Sequence, residues 1–245
     1  MKTIAVSIQR GGTGKTTTAA ALAAAAAYRG QKCLAIDLDP QGNLSFIMRA
    51  DTGRGSSYDL IEGGQADGLI QTTGGGVDII PSNWALSTIT TNRGSARRLQ
   101  KALEPIRDSY DIIILDTPPT AGELQYNALQ AADGLIIPLQ ADTLGLQGLY
   151  QIADTAEQIK KSNPALTICG FVLTRHNARS TLAKTMQESI TTVAQELGIP
   201  FLTAIREGVA IREAQALQLP LYEYAPNSKP AIDYLELYDK IMQER

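Results

Sequence analysis

The chain has 245 residues, 44% of them hydrophobic, enough to bury one large core in an α/β domain. A formal charge of −3 and an isoelectric point of about 5.3 exclude a generally basic nucleic-acid coat, so any DNA contact has to be a local patch. Two cysteines, Cys33 and Cys169, each inside an apolar run, provide neither a disulfide framework nor a metal-ligand cluster.

In chain order, apolar strand-like runs at 3–8, 32–37, 77–80, 111–115, 134–139, 166–173 and 199–203 alternate with helix-like segments near 16–29, 94–108, 122–131, 143–162, 180–197 and 228–243. Runs such as Ile112-Ile113-Ile114-Leu115 suit parallel strands covered on both faces. The alternation predicts an α/β fold, a doubly wound, mostly parallel twisted sheet with helices on both faces, in a single domain over residues 1–245. The alanines from Ala19 to Ala27 predict a helix lying close to the sheet, and the Gly-rich stretch 52–76 predicts surface loops with short helices. The first strand begins at once, which leaves no room for a signal peptide, and the alanine run is too short and too weakly apolar to span a bilayer.

The first run leads into Gln9-Arg10-Gly11-Gly12-Thr13-Gly14-Lys15-Thr16-Thr17 and then the alanine-rich helix. Strand, glycine-rich turn and helix start is the context that marks a phosphate-binding loop. Glycines let backbone N–H groups close around phosphate oxygens at the positive end of a helix. Gly11 to Thr17 would form the cradle, Lys15 would reach the β- and γ-phosphates of ATP, and the Thr16 hydroxyl would ligate Mg²⁺. Asp116 ends the run Ile112–Leu115, the position of an acid that holds Mg²⁺ through water opposite Thr16. Asp37 and Asp39 follow the second strand.

These segments carry a family resemblance. The loop is similar to the deviant Walker A pattern K-G-G-x-G-K-[ST]-[ST] of the ParA/MinD family of ATPases, with Arg10 in place of the first lysine. Asp37-Leu38-Asp39-Pro40-Gln41-Gly42-Asn43 resembles that family's D-x-D-P-Q-x-N segment, and Asp116-Thr117-Pro118-Pro119 its D-x-P-P turn. Tyr224-Ala225-Pro226-Asn227-Ser228-Lys229-Pro230-Ala231-Ile232-Asp233-Tyr234 is similar to its closing Y-x-P-x-S-x-x-A-x-x-Y. The resemblance covers nearly the whole chain and is strongest to short ParA/Soj-type partition ATPases. It implies that Asp39 positions or activates the attacking water, that Asp37 sits near the magnesium shell, and that the Thr117–Pro119 turn senses the γ-phosphate. It further implies an ATP-dependent homodimer in which Arg10 reaches the partner's phosphates as a catalytic group. Non-specific binding to double-stranded DNA, release stimulated by a ParB-like protein, and a cytoplasmic, nucleoid-associated location complete the implied picture.

Between Gln158 and Gln187 stand five basic residues and no acid. Asn177-Ala178-Arg179-Ser180-Thr181-Leu182 resembles the family's segment with a DNA-contacting arginine, matching Arg179, with Lys184 close by. A second such arginine falls on Ala210 by the spacing of Glu213-Ala214, and Arg206 and Arg212 flank that gap as substitutes. Thr174 stands where relatives often carry a base-contacting asparagine, and His176 reads as a solvated loop residue. Arg93, Arg97, Arg98 and Lys101 read as an exposed helix face.

Four other classes compete. A MinD-like membrane ATPase needs a basic amphipathic C-terminal helix, whereas residues 231–245 hold four acids and two bases. A nitrogenase-iron-protein or metal-carrier relative needs bridging loop cysteines. A bacterial tyrosine kinase of the same loop type needs an accessible tyrosine cluster, which Tyr222, Tyr224, Tyr234 and Tyr238 resemble only weakly. A weakly hydrolysing ATP-dependent switch would follow if Arg10 alters the contact between subunits.

Overall fold

The computed structural model describes residues 2–89, 95–177 and 181–243. Among these, eight strands form one sheet: β1 (Lys2–Val6), β2 (Cys33–Asp37), β3 (Gln71–Thr72), β4 (Asp78–Ile80), β5 (Ile112–Asp116), β6 (Gly134–Leu139), β7 (Thr167–His176) and β8 (Phe201–Arg206). Their order is β3-β4-β2-β5-β1-β6-β7-β8, parallel throughout except for the antiparallel β3–β4 pair at one edge. The helices are α1 (Lys15–Tyr28), α2 (Asn43–Ile47), α3 (Ser57–Ile61), α4 (Arg98–Leu103), α5 (Glu123–Ala131), α6 (Thr143–Lys160), α7 (Thr181–Glu196), α8 (Val209–Leu217), α9 (Leu221–Tyr224) and α10 (Lys229–Gln243).

Two apolar layers sandwich the sheet, and strand periodicity divides residues between them. Ala5, Leu34, Ile36, Ile113 and Leu115 join the layer under α3 to α7. Ile4, Val6, Cys33, Ala35, Ile112 and Ile114 join the opposite layer under α1, α2 and α8 to α10. Small side chains let α1 lie close, with Ala19, Ala23, Ala25 and Ala26 fully buried. Against α1 packs α10, whose Tyr234, Leu237, Tyr238 and Ile241 are buried, and the Tyr234 hydroxyl shares a 3.1 Å hydrogen bond with Thr18.

Three elements depart from the sequence expectation. The stretch 52–76 holds the short helices expected of it, but it is not confined to the surface, since α3 sends Leu60 and Ile61 into the core. The helix expected over 94–108 is a 3-10 turn plus the short α4, because Pro105 cannot continue it. Residues 209–217 form α8, which the sequence reading left without an element. Cys33 and Cys169 are buried in strands as expected, away from any loop position.

Gly134 of β6 is packed too closely to accept a side chain. A Cβ there would lie 2.6 Å from Cys169 Sγ and 2.8 Å from Ile4 Cδ1. Gly134→Ala is therefore expected to cost about 1–3 kcal/mol. Urea unfolding would read this as a lower midpoint at unchanged slope.

Candidate nucleotide-binding site

Parallel strands end on the same edge, and register decides what meets there. Val6 lies opposite Asp116 in the β1–β5 pair, and Asp37 lies opposite Asp116 in the β2–β5 pair. The glycine loop after β1, the Asp37–Gln41 segment after β2 and the Asp116–Pro119 turn after β5 therefore emerge side by side. Thr117 Oγ1 donates to Val6 O at 2.9 Å and fixes that turn to β1. Carboxyl ends of parallel strands are where such folds bind ligands.

The glycine loop is braced from outside. Gly12 and Gly14 have φ of +74° and +89°, in the left-handed region that glycine enters without strain. Thr174 Oγ1 donates to Thr13 O at 2.7 Å, and Gln140 Nε2 donates to Gly12 O at 2.8 Å. Thr174 is thus a buried support beneath the loop, and its hydroxyl is occupied by the Thr13 carbonyl. His176, expected in a solvated loop, ends β7 and pairs with Arg206 of β8. Lys15 is only 6% exposed, and its Nζ donates to Arg10 O at 2.6 Å. Burial lowers its pKa, opposed by the nearby charges of Asp116 and Asp39.

The carboxylates differ in what they already hold. Asp37 accepts hydrogen bonds from Ser45 N (2.8 Å), Ser45 Oγ (2.7 Å) and Asp39 N (3.1 Å), which uses most of its acceptor capacity and ties α2 to β2. A remaining lone pair leaves it able to meet a metal-bound water. Asp39, 7% exposed, accepts from Gln41 N at 3.0 Å and borders the cleft. Asp116 is fully buried, and among the described residues neither carboxylate oxygen has a partner in hydrogen-bond geometry. Burial drives its pKa well above the usual carboxylate range, Asp37 adds to the rise, and the nearby Thr16 hydroxyl and Lys15 ammonium oppose it.

An orphaned buried carboxylate beside a threonine hydroxyl fits a hard divalent cation. Among the described residues no three His, Cys, Asp or Glu side chains group to hold a metal by themselves. A cation here would take its remaining ligands from phosphate and water.

Arg10 does not point away from its own subunit. Its guanidinium makes a two-pronged ion pair with Asp142, Nη1 to Oδ1 at 2.5 Å and Nη2 to Oδ2 at 2.8 Å. Asp142 also caps α6, accepting from Gly145 N at 2.7 Å. Arg10 raises no charge problem there: the pair raises the arginine pKa and lowers that of Asp142. Gln9, where ordinary P-loops have glycine, donates to Gln125 of α5 (3.1 Å) and Thr155 of α6 (2.7 Å), linking the loop to the helix layer behind it.

Above the loop lies a cleft of about 530 Å³, walled by Asn43, Phe46 and Ile47 on one side and by Arg175 and Gln215 on the other. Arg175, with φ of +49°, and Gln215, whose Nε2 donates to Thr17 Oγ1 at 3.1 Å, are cleft residues that the sequence reading missed. No motif marks them, since they enter only through the packing of β7 and α8.

Arg179 lies outside the described residues, as does Arg93. Arg206 is exposed, and its guanidinium is engaged by buried Asp233, with Nε at 3.0 Å from Oδ1 and the backbone N at 2.8 Å from Oδ2. Lys184 and Arg212 are exposed. In the other basic cluster, Arg98 pairs with Glu62 and Arg97 donates to Ser162 O, so these side chains serve packing between elements. Tyr222, Tyr234 and Tyr238 are buried, which removes them as an accessible tyrosine cluster.

A glycine loop between a central strand and its helix, a buried lysine and three edge carboxylates together define a P-loop nucleotide-binding site. A family model described as an AAA domain matches residues 1–168. The sporulation initiation inhibitor protein Soj of Bacillus subtilis is 34% identical over 250 residues, 98% of this chain and 98% of that protein. The chromosome partitioning protein ParA of Caulobacter vibrioides is 35% identical over 255 residues, 99% of this chain and 94% of that protein. Cobyrinic acid a,c-diamide synthase from Mycobacterium smegmatis, solved with an ATP analogue and magnesium, has a TM-score of 0.86 at 29% identity, covering 100% of this chain and 95% of that one. The chain belongs to the ParA/MinD family of deviant Walker A ATPases.

Thr13, 1% exposed, has a hydroxyl with no partner. Thr13→Val keeps the shape and removes the stranded group, so stability should rise by about 1 kcal/mol with nucleotide binding retained. Urea unfolding beside a nucleotide titration checks both.

Proposed function

We propose that the chain is an ATP-driven DNA-partitioning ATPase, acting as one domain over residues 1–245. The observation that carries the reading is the convergence of Lys15, Thr16, Asp39 and the unpartnered Asp116 on one sheet edge. Similarity to Soj and ParA along nearly the whole chain supports partition as the use of that site. ATP occupies the cleft with its phosphates on Gly11–Thr17. Lys15 balances the β- and γ-phosphate charge. Thr16, and Asp116 through a water, would hold Mg²⁺, which would supply charge neutralisation at the transferring phosphoryl group, with Asp37 near its shell. Asp39, set by its bond from Gln41 N, orients the attacking water. Two ATP-bound subunits pair, bind double-stranded DNA without sequence preference through Arg179, Lys184 and Arg212, and separate when a ParB-like protein speeds hydrolysis. This places the protein in the cytoplasm on the nucleoid. No helix of the described residues is long and apolar enough to cross a membrane, and the apolar face of α10 is spent on the core, which disfavours a membrane-surface role.

Asp39→Ala should bind ATP normally and hydrolyse it poorly, while Lys15→Ala should lose the nucleotide. Occupancy measured beside turnover separates the two, and unchanged turnover in Asp39→Ala would move the water-positioning role elsewhere.

DNA retention should require ATP and weaken with salt. If each of two subunits neutralises about three phosphates, the log–log slope is roughly −5. Equal retention with ADP, or an unaffected Arg179→Glu variant, counts against the partition reading.

Arg10 has to leave Asp142 before it can reach a partner's phosphates. Asp142→Asn keeps the helix cap and weakens the hold on Arg10, so pairing should need less ATP. Sedimentation with a non-hydrolysable ATP analogue reads this. A normal dimer from Arg10→Ala would instead support a role for Arg10 confined to its own subunit.

A further inference from the structure

The two helices that wall the cleft are joined at their far ends by an exchange of side chains. Helix α2 stops at Ile47 with Met48 as its C-cap, and the next residue, Arg49, has φ of +54°. Helix α8 stops at Leu217, and its C-cap, Gln218, has φ of +53°. Arg49 Nη2 donates to Leu217 O at 2.8 Å, and Gln218 Nε2 donates to Phe46 O at 2.6 Å. Leu217 O thus takes its side-chain donor from Arg49, while Phe46 O, which already accepts from Arg49 N at 3.1 Å, gains a second donor from Gln218. Left-handed positions favour glycine, yet both here carry long side chains that reach across.

Beneath this junction lies a cavity of about 150 Å³, lined by Ala20, Ala24, Met48, Ile211 and Ala214 among others. The spacing of α2 and α8 at this point is therefore set by the two hydrogen bonds more than by close packing. Both helices also lead to the reactive edge. Ser45 of α2 holds the Asp37 carboxylate, and Gln215 of α8 holds Thr17 of the phosphate loop.

We infer that Arg49 and Gln218 form a clasp between α2 and α8 that fixes the width of the nucleotide cleft and slows nucleotide release. They are positioning residues, since they act on the cleft walls without touching the phosphates. The inference rests on the cleft being the nucleotide site. A nucleotide with its phosphates on Lys15 runs past Thr17 between these walls, so its departure is eased when they part.

The test is the release rate of a methylanthraniloyl-labelled ADP, with Mg²⁺, from the unmodified chain and from Arg49→Gly, Gln218→Gly and the double variant. Glycine removes each donor and relieves the left-handed backbone, so the nucleotide-free melting temperature should hold or rise. Each single change should speed release about threefold and the pair about tenfold. Arg49→Lys, which keeps a donor, should recover part of the loss. Unchanged release in the double variant overturns the clasp while leaving the nucleotide site intact. So does faster release that tracks a fall in nucleotide-free melting temperature with no recovery by Arg49→Lys. Failure of the unmodified chain to bind the labelled ADP overturns the clasp and the site together.

Discussion

Charged groups crowd together on the C-terminal edge of this sheet with little access to water. Lys15 and Asp39 are nearly buried there, and Asp37 and Asp116 are wholly so. Ionised carboxylates in such surroundings are costly unless each finds a partner, and among the described residues Asp116 has only the nearby Thr16 hydroxyl and Lys15 ammonium to oppose that cost. The register that sets Asp37 against Asp116 makes the cost larger, because two like charges share one edge. Much of the nearby structure answers this constraint. Ser45 and the Asp39 amide bond Asp37, Ser82 and Ser57 hold the backbone carbonyls of the same segment, and Thr174 and Gln140 keep the glycine loop in place. Rigidity there is prepaid, so a polyvalent ligand meets an arrangement that needs little reorganisation.

The fold was legible where elements were long and apolar on both faces. Seven of the eight strands and the long helices α1, α5, α6, α7 and α10 follow from periodicity alone. Helix α8 was not, because Val209 and Leu217 at its ends are exposed and blur the apolar stripe around Ala210 and Ala214. Strand β3 is two residues at an edge and carries almost no pattern. In the candidate site, the glycine loop and the strand-ending acids are local signals and could be read directly. The supporting contacts could not. Gln9 with Thr155, Thr174 with Thr13 and Arg10 with Asp142 join residues more than a hundred positions apart, and only the sheet order brings them together.

Charge read along the sequence also misleads about charge in space. The acid-free window from Gln158 to Gln187 contains Lys160, yet that side chain pairs with Glu157 just outside it. Arg206 is claimed by Asp233 and Arg98 by Glu62. Arginine offers five donors in a planar fork, and a carboxylate at the right distance engages it before any external partner does. What is left for a polyanion is therefore narrower than the composition implies. Two weakly charged patches brought together on paired subunits would supply what one lacks.

The packing of α10 on α1 sets an order of events during synthesis. The phosphate loop is made long before α10, but the helix that follows it is covered by Tyr234, Tyr238 and Ile241 and bonded through Thr18 to Tyr234. Its central strand β1 likewise waits for β5 and β6 on either side. A growing chain thus displays its glycine loop long before that loop has a floor, and closing it demands contacts spanning over two hundred residues. The helix that follows the glycine loop is for this reason fully supported only once α10 has docked against it.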